Sequence, residues 1–232
     1  MWDPAARGGR GAFVPPAPVY DGLSSATRSA ATAVPSAVGP VAPSVEDPAA
    51  AFDEKLSRGA RDGGYLVLTV EGRLLADAEQ ALTARFGLPA LSLEKLFLSA
   101  MKEVAREKEV PWKTVLGADT RPSHPNLRAL VRAAVPRVEG EIRATDLPVL
   151  LTYPGLLVRY EQLDLLDRLR DRATRPDGGL KGAWLLVPSS DQQVSPALDG
   201  VALPVLTPNQ WARIPTAWLD RAVGMERSVD DV

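Results

Sequence analysis

The chain has no cysteine and a single histidine, His124, in 232 residues. Without cysteine there are no disulfides, no thiol nucleophile and no thiolate-held zinc. One histidine rules out any metal site that draws two from the same chain. Neither charge is in excess: Lys plus Arg number 27 and Asp plus Glu 29, a net charge of −2. A free-standing nucleic-acid binder usually carries a basic surplus, so DNA contact is possible only through a local patch and has no support in the overall balance. No apolar run is long enough to span a bilayer. Arg7 and Arg10 are followed by no apolar stretch of a secretory signal. The expectation is a cytoplasmic protein with no membrane partner.

Hydrophobic residues at 45% suffice for a real core, but they are unevenly placed. Residues 1–48 are rich in Pro, Ala, Ser and Gly, as in Val14-Pro15-Pro16-Ala17-Pro18, and carry no periodicity. That composition predicts a disordered tail or linker. One α/β domain is expected over 52–224, with a flexible C-terminus over 225–232.

Within 52–224, apolar runs alternate with helical patterns. Asp53 to Arg61 predicts a short helix stopped by Gly63-Gly64, and Tyr65 to Val70 a buried strand. Leu74, Leu75, Ala78, Leu82 and Phe86 share a helix face that Gly87 ends. A short strand, Ala90 to Ser92, leads to a helix with Leu93, Leu96, Phe97, Ala100, Met101 and Val104 inside, capped by Ser92. The charge run Lys102 to Glu109 reads as that helix's solvated face, with Glu103 and Glu107 flanking Arg106. Pro111 to Pro125 reads as irregular. A helix from Asn126 is expected to break or kink at Pro136. After a strand at Pro148 to Tyr153, one helix is expected to bury Leu156, Tyr160, Leu163, Leu166 and Leu169, with Asp164 and Arg168 paired. The Trp184 strand, a short strand at Val201 to Leu206, and a closing helix carrying Trp211 and Trp218 on one face complete the chain. The pattern predicts a three-layer α/β fold: a mainly parallel sheet flanked by helices, Rossmann-like or P-loop-like but without a nucleotide motif.

Strand–glycine–helix turns are where such folds bind phosphate. The turn at Glu71-Gly72-Arg73 lacks the second glycine, the lysine and the hydroxyl of a Walker loop, and Tyr153-Pro154-Gly155 lacks the G-x-G-x-x-G pattern. No cofactor is expected, and neither ATP hydrolysis nor magnesium-dependent nucleotide binding. Ser189-Ser190-Asp191 has no G-x-S-x-G context to make a nucleophile, and Asp119 near His124 makes no metal site by spacing. The candidate binding residues are those at the carboxyl ends of the strands, which lie on one edge if the strands run parallel: Gly72, Arg73, Tyr153, Gly155, Arg159, Ser189, Ser190 and Asp191. The two glycines let a partner approach the backbone, and the arginines offer positive charge. Tyr160 reads as core, and Arg159 as the partner of a neighbouring carboxylate. No catalytic residue is assigned.

The segments Leu150-Leu151-Thr152-Tyr153-Pro154-Gly155-Leu156-Leu157-Val158-Arg159-Tyr160, Gly182 to Pro188, Asp199 to Val205 and Asn209 to Leu219 resemble a C-terminal region of the large proteins of bacterial Pgl, or type 2 BREX, phage-exclusion systems. PglW-type serine/threonine kinases come first and the large ATPases of those systems second. The resemblance covers residues 52–220. It implies a role in phage defence, with other proteins of the system as partners. It carries over no kinase chemistry, since the chain has no glycine-rich loop with a following lysine and no H-R-D or D-F-G. Three readings stand at this point: a non-catalytic interaction or regulatory module, a degenerate P-loop-like nucleotide-binding protein or ATPase accessory subunit, and a DNA-contacting accessory subunit.

Overall fold

The computed structural model describes residues 47–121, 124–175, 177–190 and 194–222. Of the tail expected over 1–48, residues 1–46 lie outside this set, as do 223–232. Pro48 already opens the first helix, α1 (Pro48–Asp62), and Asp47 caps it: the Asp47 carboxylate accepts from the Ala49 N–H at 3.0 Å, and Pro48 at the first helical position loses no bond.

The chain continues as β1 (Tyr65–Glu71), a 3₁₀ turn (Gly72–Leu74), α2 (Leu75–Phe86), β2 (Ala90–Ser92), α3 (Leu93–Glu107), α4 (Trp112–Asp119), α5 (Pro125–Arg143), β3 (Val149–Thr152), α6 (Gly155–Arg159), α7 (Asp164–Ala173) and β4 (Ala183–Ser189). Then come β5 (Ala197–Leu198), β6 (Val201–Ala202), β7 (Trp211–Arg213) and a last helix, α8, over 216–222. β1, β2, β3, β4 and β7 form one sheet in the order β2-β3-β4-β1-β7, every neighbouring pair parallel.

Alternation along β1 splits the core in two. Tyr65 and Val67 face α3, α5 and α7, with Phe97, Met101, Val131, Val138, Leu166 and Leu169 buried there. Leu66, Leu68 and Val70 face α1, α2 and α8 across Phe52, Leu56, Leu82 and Trp218. Covered on both sides, a strand gains by being apolar at every position. This is the three-layer α/β architecture the sequence predicts.

Five local expectations are corrected. The segment after Pro111 is helical, as α4. Pro111 and Pro125 had marked a loop, yet each stands at the start of a helix, where a missing N–H costs nothing. α5 runs unbroken through Pro136, because Ala134, Val135, Val138 and Ile142 are buried on either side of it and that packing outweighs one lost bond. The single helix expected after β3 is two. Glu161 has φ 56°, and Gln162 N–H closes back on Leu157 O at 2.7 Å, so the chain turns between α6 and α7. The strand expected over Val201 to Leu206 is only β6, paired antiparallel with β5 outside the main sheet. Its Asp199-Gly200 turn, with φ of 50° and 79°, is a two-residue hairpin signal in the sequence. Trp211 and Trp218 share no helix face: Trp211 lies on β7 and Trp218 on α8.

The ion pairs are likewise redistributed. Glu103 and Glu107 reach across to Arg137 of α5 rather than serving Arg106. Arg168 leaves Asp164 for Glu139, which also takes Arg172, each through Nε at 2.9 Å. Burial pushes the Glu139 carboxyl upward, but the two arginines outweigh it and hold it below its ordinary value. A depressed folded value means the pair stabilises fully above the unfolded pKa and is lost as pH falls through the folded one. Both arginines are about two-fifths exposed, which screens the gain. Glu139→Gln is therefore expected to cost about 1 kcal/mol at neutral pH. The gap from the native chain should narrow as pH falls below the ordinary carboxylate range, as measured by urea unfolding at neutral and acidic pH.

Candidate functional site

Parallel strands put every carboxyl end on one edge. There Glu71 of β1 lies opposite Ser189 of β4, and the two connections part. β1 leads into α2, on the Trp218 face, while β4 leads to the β5–β6 hairpin, whose Leu198 packs into the opposite core. Strands whose connections leave to opposite faces open a crevice between their ends, the usual binding place in α/β sheets.

The residues at that crevice are held by one another. Arg73 Nε donates to Glu71 Oε2 at 2.6 Å. Arg213, at the end of β7, donates to the Ser190 carbonyl and, at 3.4 Å, to Ser189 Oγ. Ser189 Oγ donates in turn to Ser190 O at 3.0 Å. A Cβ on Gly72 would meet only Pro188 Cβ, at 3.8 Å, so the turn is open to an approaching group. Asp191 lies outside the described residues.

β3 contributes Tyr153, with φ 54° and 41% exposure. Its phenol is pushed upward by the charge of Glu79 on α2, then by burial and by a hydrogen bond with that carboxylate. Beneath it Thr152 is fully buried, and its Oγ1 has no hydrogen-bond partner among the described residues. Gly155 opens α6 with free space where a Cβ would stand.

Arg159 is committed elsewhere. Its guanidinium reaches Asp119 of α4 through Nε at 3.3 Å and Nη2 at 3.1 Å, and Tyr160 Oη donates to the same carboxylate at 2.8 Å. Tyr160 is core, 7% exposed, as expected. This triad pins α4 to α6 and supplies the carboxylate partner expected for Arg159. No group of three metal-ligating side chains occurs among the described residues.

Gly72, Arg73, Ser189 and Ser190 thus gather at the crevice, with Tyr153 and Gly155 along the same edge. Sequence reasoning missed Arg213 and Glu79. Arg213 had a signal, a basic residue closing Trp211-Ala212-Arg213, which the expectation of a helix there concealed. Glu79 had none, since its role depends on how α2 lies over β3.

The chain is 36% identical over 183 residues, 72% of its length, to the probable kinase PglW of Streptomyces coelicolor (strain ATCC BAA-471 / A3(2) / M145), and spans 11% of the length of that relative. The resemblance to PglW-type proteins read from the sequence is borne out. No family model matches the chain. No solved structure matches it. No helix among the described residues is long and apolar enough to cross a membrane.

Proposed function

We propose that the chain is a non-catalytic interaction module of a Pgl-type, type 2 BREX phage-defence system, the counterpart of the C-terminal region of a PglW-type kinase. It works in the cytoplasm, with other proteins of that system as partners. The observation that carries this reading is the 36% identity to the probable kinase PglW over 183 residues, in a stretch without phosphoryl-transfer parts. Such transfer needs a phosphate-covering glycine loop, a lysine, a catalytic aspartate and a metal-holding aspartate at fixed spacings; none of those motifs is present in the sequence. The crevice supports the same reading. Its cationic side chains, Arg73 and Arg213, are engaged with Glu71 and Ser190, which suits a surface that positions a partner more than a cradle for phosphate.

Affinity capture with the tagged chain, in cells that express the whole system, tests this. The expected result is recovery of the system's own proteins, reduced roughly tenfold by Arg73→Ala with Tyr153→Ala. Calorimetry with ATP and magnesium is expected to show no saturable binding. Binding that disappears on Gly72→Pro would establish the nucleotide reading instead, and salt-sensitive retention on DNA the third one. Arg159→Ala is a poor probe of this edge, because it releases Asp119 and loosens α4.

A further inference from the structure

A half-open groove of about 720 Å³ runs between α4 and the start of α5, beside the end of α3. Its floor is apolar, with Val110, Val115, Leu127 and Leu130. Its rim carries Lys108, Arg121 and His124, and no Asp or Glu lines it among the described residues. In a chain of net charge −2 this is a local reversal. The carboxylates nearest in sequence lie outside the lining: Asp119 is held by Arg159 and Tyr160, Glu107 is paired with Arg137, and Glu109, beside Lys108, is exposed. Arg128, one turn into α5, is taken by Glu161. Lys108 and Arg121 have no ion-pair partner among the described residues.

Two further features converge here. α5 is 19 residues long and begins without a side-chain cap, so the positive end of its dipole opens onto the rim. His124 Nδ1 is buried there with no hydrogen-bond partner among the described residues. On the opposite wall, a Cβ added to Gly117 of α4 would meet nothing within 4 Å. The empty space therefore reaches the α4 backbone itself.

We propose that this groove docks an acidic peptide segment of a partner protein, with aliphatic side chains on the floor and carboxylates against Lys108, Arg121 and the head of α5. A small inorganic anion would leave the apolar floor uncovered, and a neutral apolar peptide would leave the cationic rim unmatched. The open side lets a chain pass through, where a closed pocket would admit only a detached ligand. This rests on the reading of the chain as an interaction module and names a second surface, distinct from the strand edge.

Panning a random short-peptide display library against the full chain tests it. Recovered peptides are expected to combine Asp or Glu with Leu, Ile or Val, and their affinity to fall as salt is raised. Gly117→Leu, whose Cβ has open space, puts a branched side chain into the groove and should weaken them roughly tenfold, and Arg121→Glu by a comparable factor. Arg121 is exposed, so the second variant answers the question even if the first perturbs α4. The proposal is overturned if no peptide is enriched, if basic or neutral sequences prevail, or if acidic ones bind Gly117→Leu unchanged. Competition by inorganic phosphate at concentrations similar to the peptide would make this an anion site and overturn it too. Failure of peptide binding while the system's proteins are still captured rejects the groove alone; loss of capture with peptide binding intact rejects the strand-edge reading.

Discussion

Trp218→Ala is expected to cost about 3–5 kcal/mol of unfolding free energy. The ring is 4% exposed and sits where three helices meet. Phe52 of α1 stands edge-on to it, with centroids 5.3 Å apart at 76°, and Phe86 of α2 lies nearly parallel at 6.5 Å. Its indole N–H donates to Asp53 Oδ1 at 2.9 Å, and the same carboxylate takes Arg85 through Nε at 2.5 Å and Nη2 at 2.6 Å. Truncation opens a void between α1, α2 and α8 and removes one donor from a partly buried carboxylate. Trp218→Phe keeps most of the ring contact and loses the donor, so it should cost about 1–2 kcal/mol. Trp211→Ala should cost less than Trp218→Ala: its ring is only partly buried on an edge strand, with one bond, Nε1 to Thr69 Oγ1 at 3.1 Å. Urea unfolding of the three variants at constant m-value decides. Equal losses at the two tryptophans would mean they share one environment, contrary to the division between β7 and α8.

The contrast between those tryptophans also marks what the sequence could reveal. Seven residues apart, they fit two turns of helix, and only Pro215 between them warned otherwise. What makes Trp211 extended is non-local: the open edge of β1, where Val67 takes it as partner. Signals contained in one element were legible. Ser92 caps α3, accepting from Lys95 N–H at 3.3 Å, and Gly87 ends α2 at φ 63°. The run Tyr65 to Val70 of β1, apolar but for Thr69, announced a strand covered on both faces. Prolines were misread because their effect depends on position: Pro111 and Pro125 start helices, and Pro136 is carried by the packing around it. At the candidate edge, the parallel order of β3, β4 and β1 brings Gly155, Ser189 and Gly72 to one side, as strand polarity alone implied. That Arg159 turns to Asp119 instead follows from α4, a helix the local pattern had concealed.

Gly63→Ala is expected to cost about 3 kcal/mol or more, because it adds a backbone collision to a conformation closed to other residues. Gly63 ends α1 at φ 76° and ψ −161°, a region that essentially only glycine occupies. A Cβ there would lie 2.2 Å from the Lys181 carbonyl oxygen. That carbonyl belongs to the backbone leading into β4, so it has no flexible end to move aside. The same junction ties three strands at their amino ends. Ala183 N–H donates to Gly64 O at 2.9 Å and Val149 N–H to Gly182 O at 3.0 Å, while a Cβ on Gly182 would press on Pro148 and on Gly64 O at 3.2 and 3.3 Å. Displacing Lys181 therefore disturbs the registers of β1, β3 and β4 together. Gly87→Ala is the control, since it shares a positive φ, 63°, but meets nothing within 4 Å; its cost should stay near 1 kcal/mol. Urea midpoints of the two variants separate strain from collision. If Gly63→Ala is no worse than Gly87→Ala, the Lys181 carbonyl yields freely, and the amino-terminal edge of the sheet is not the rigid frame from which the opposite edge, with Gly72 and Ser189, is positioned.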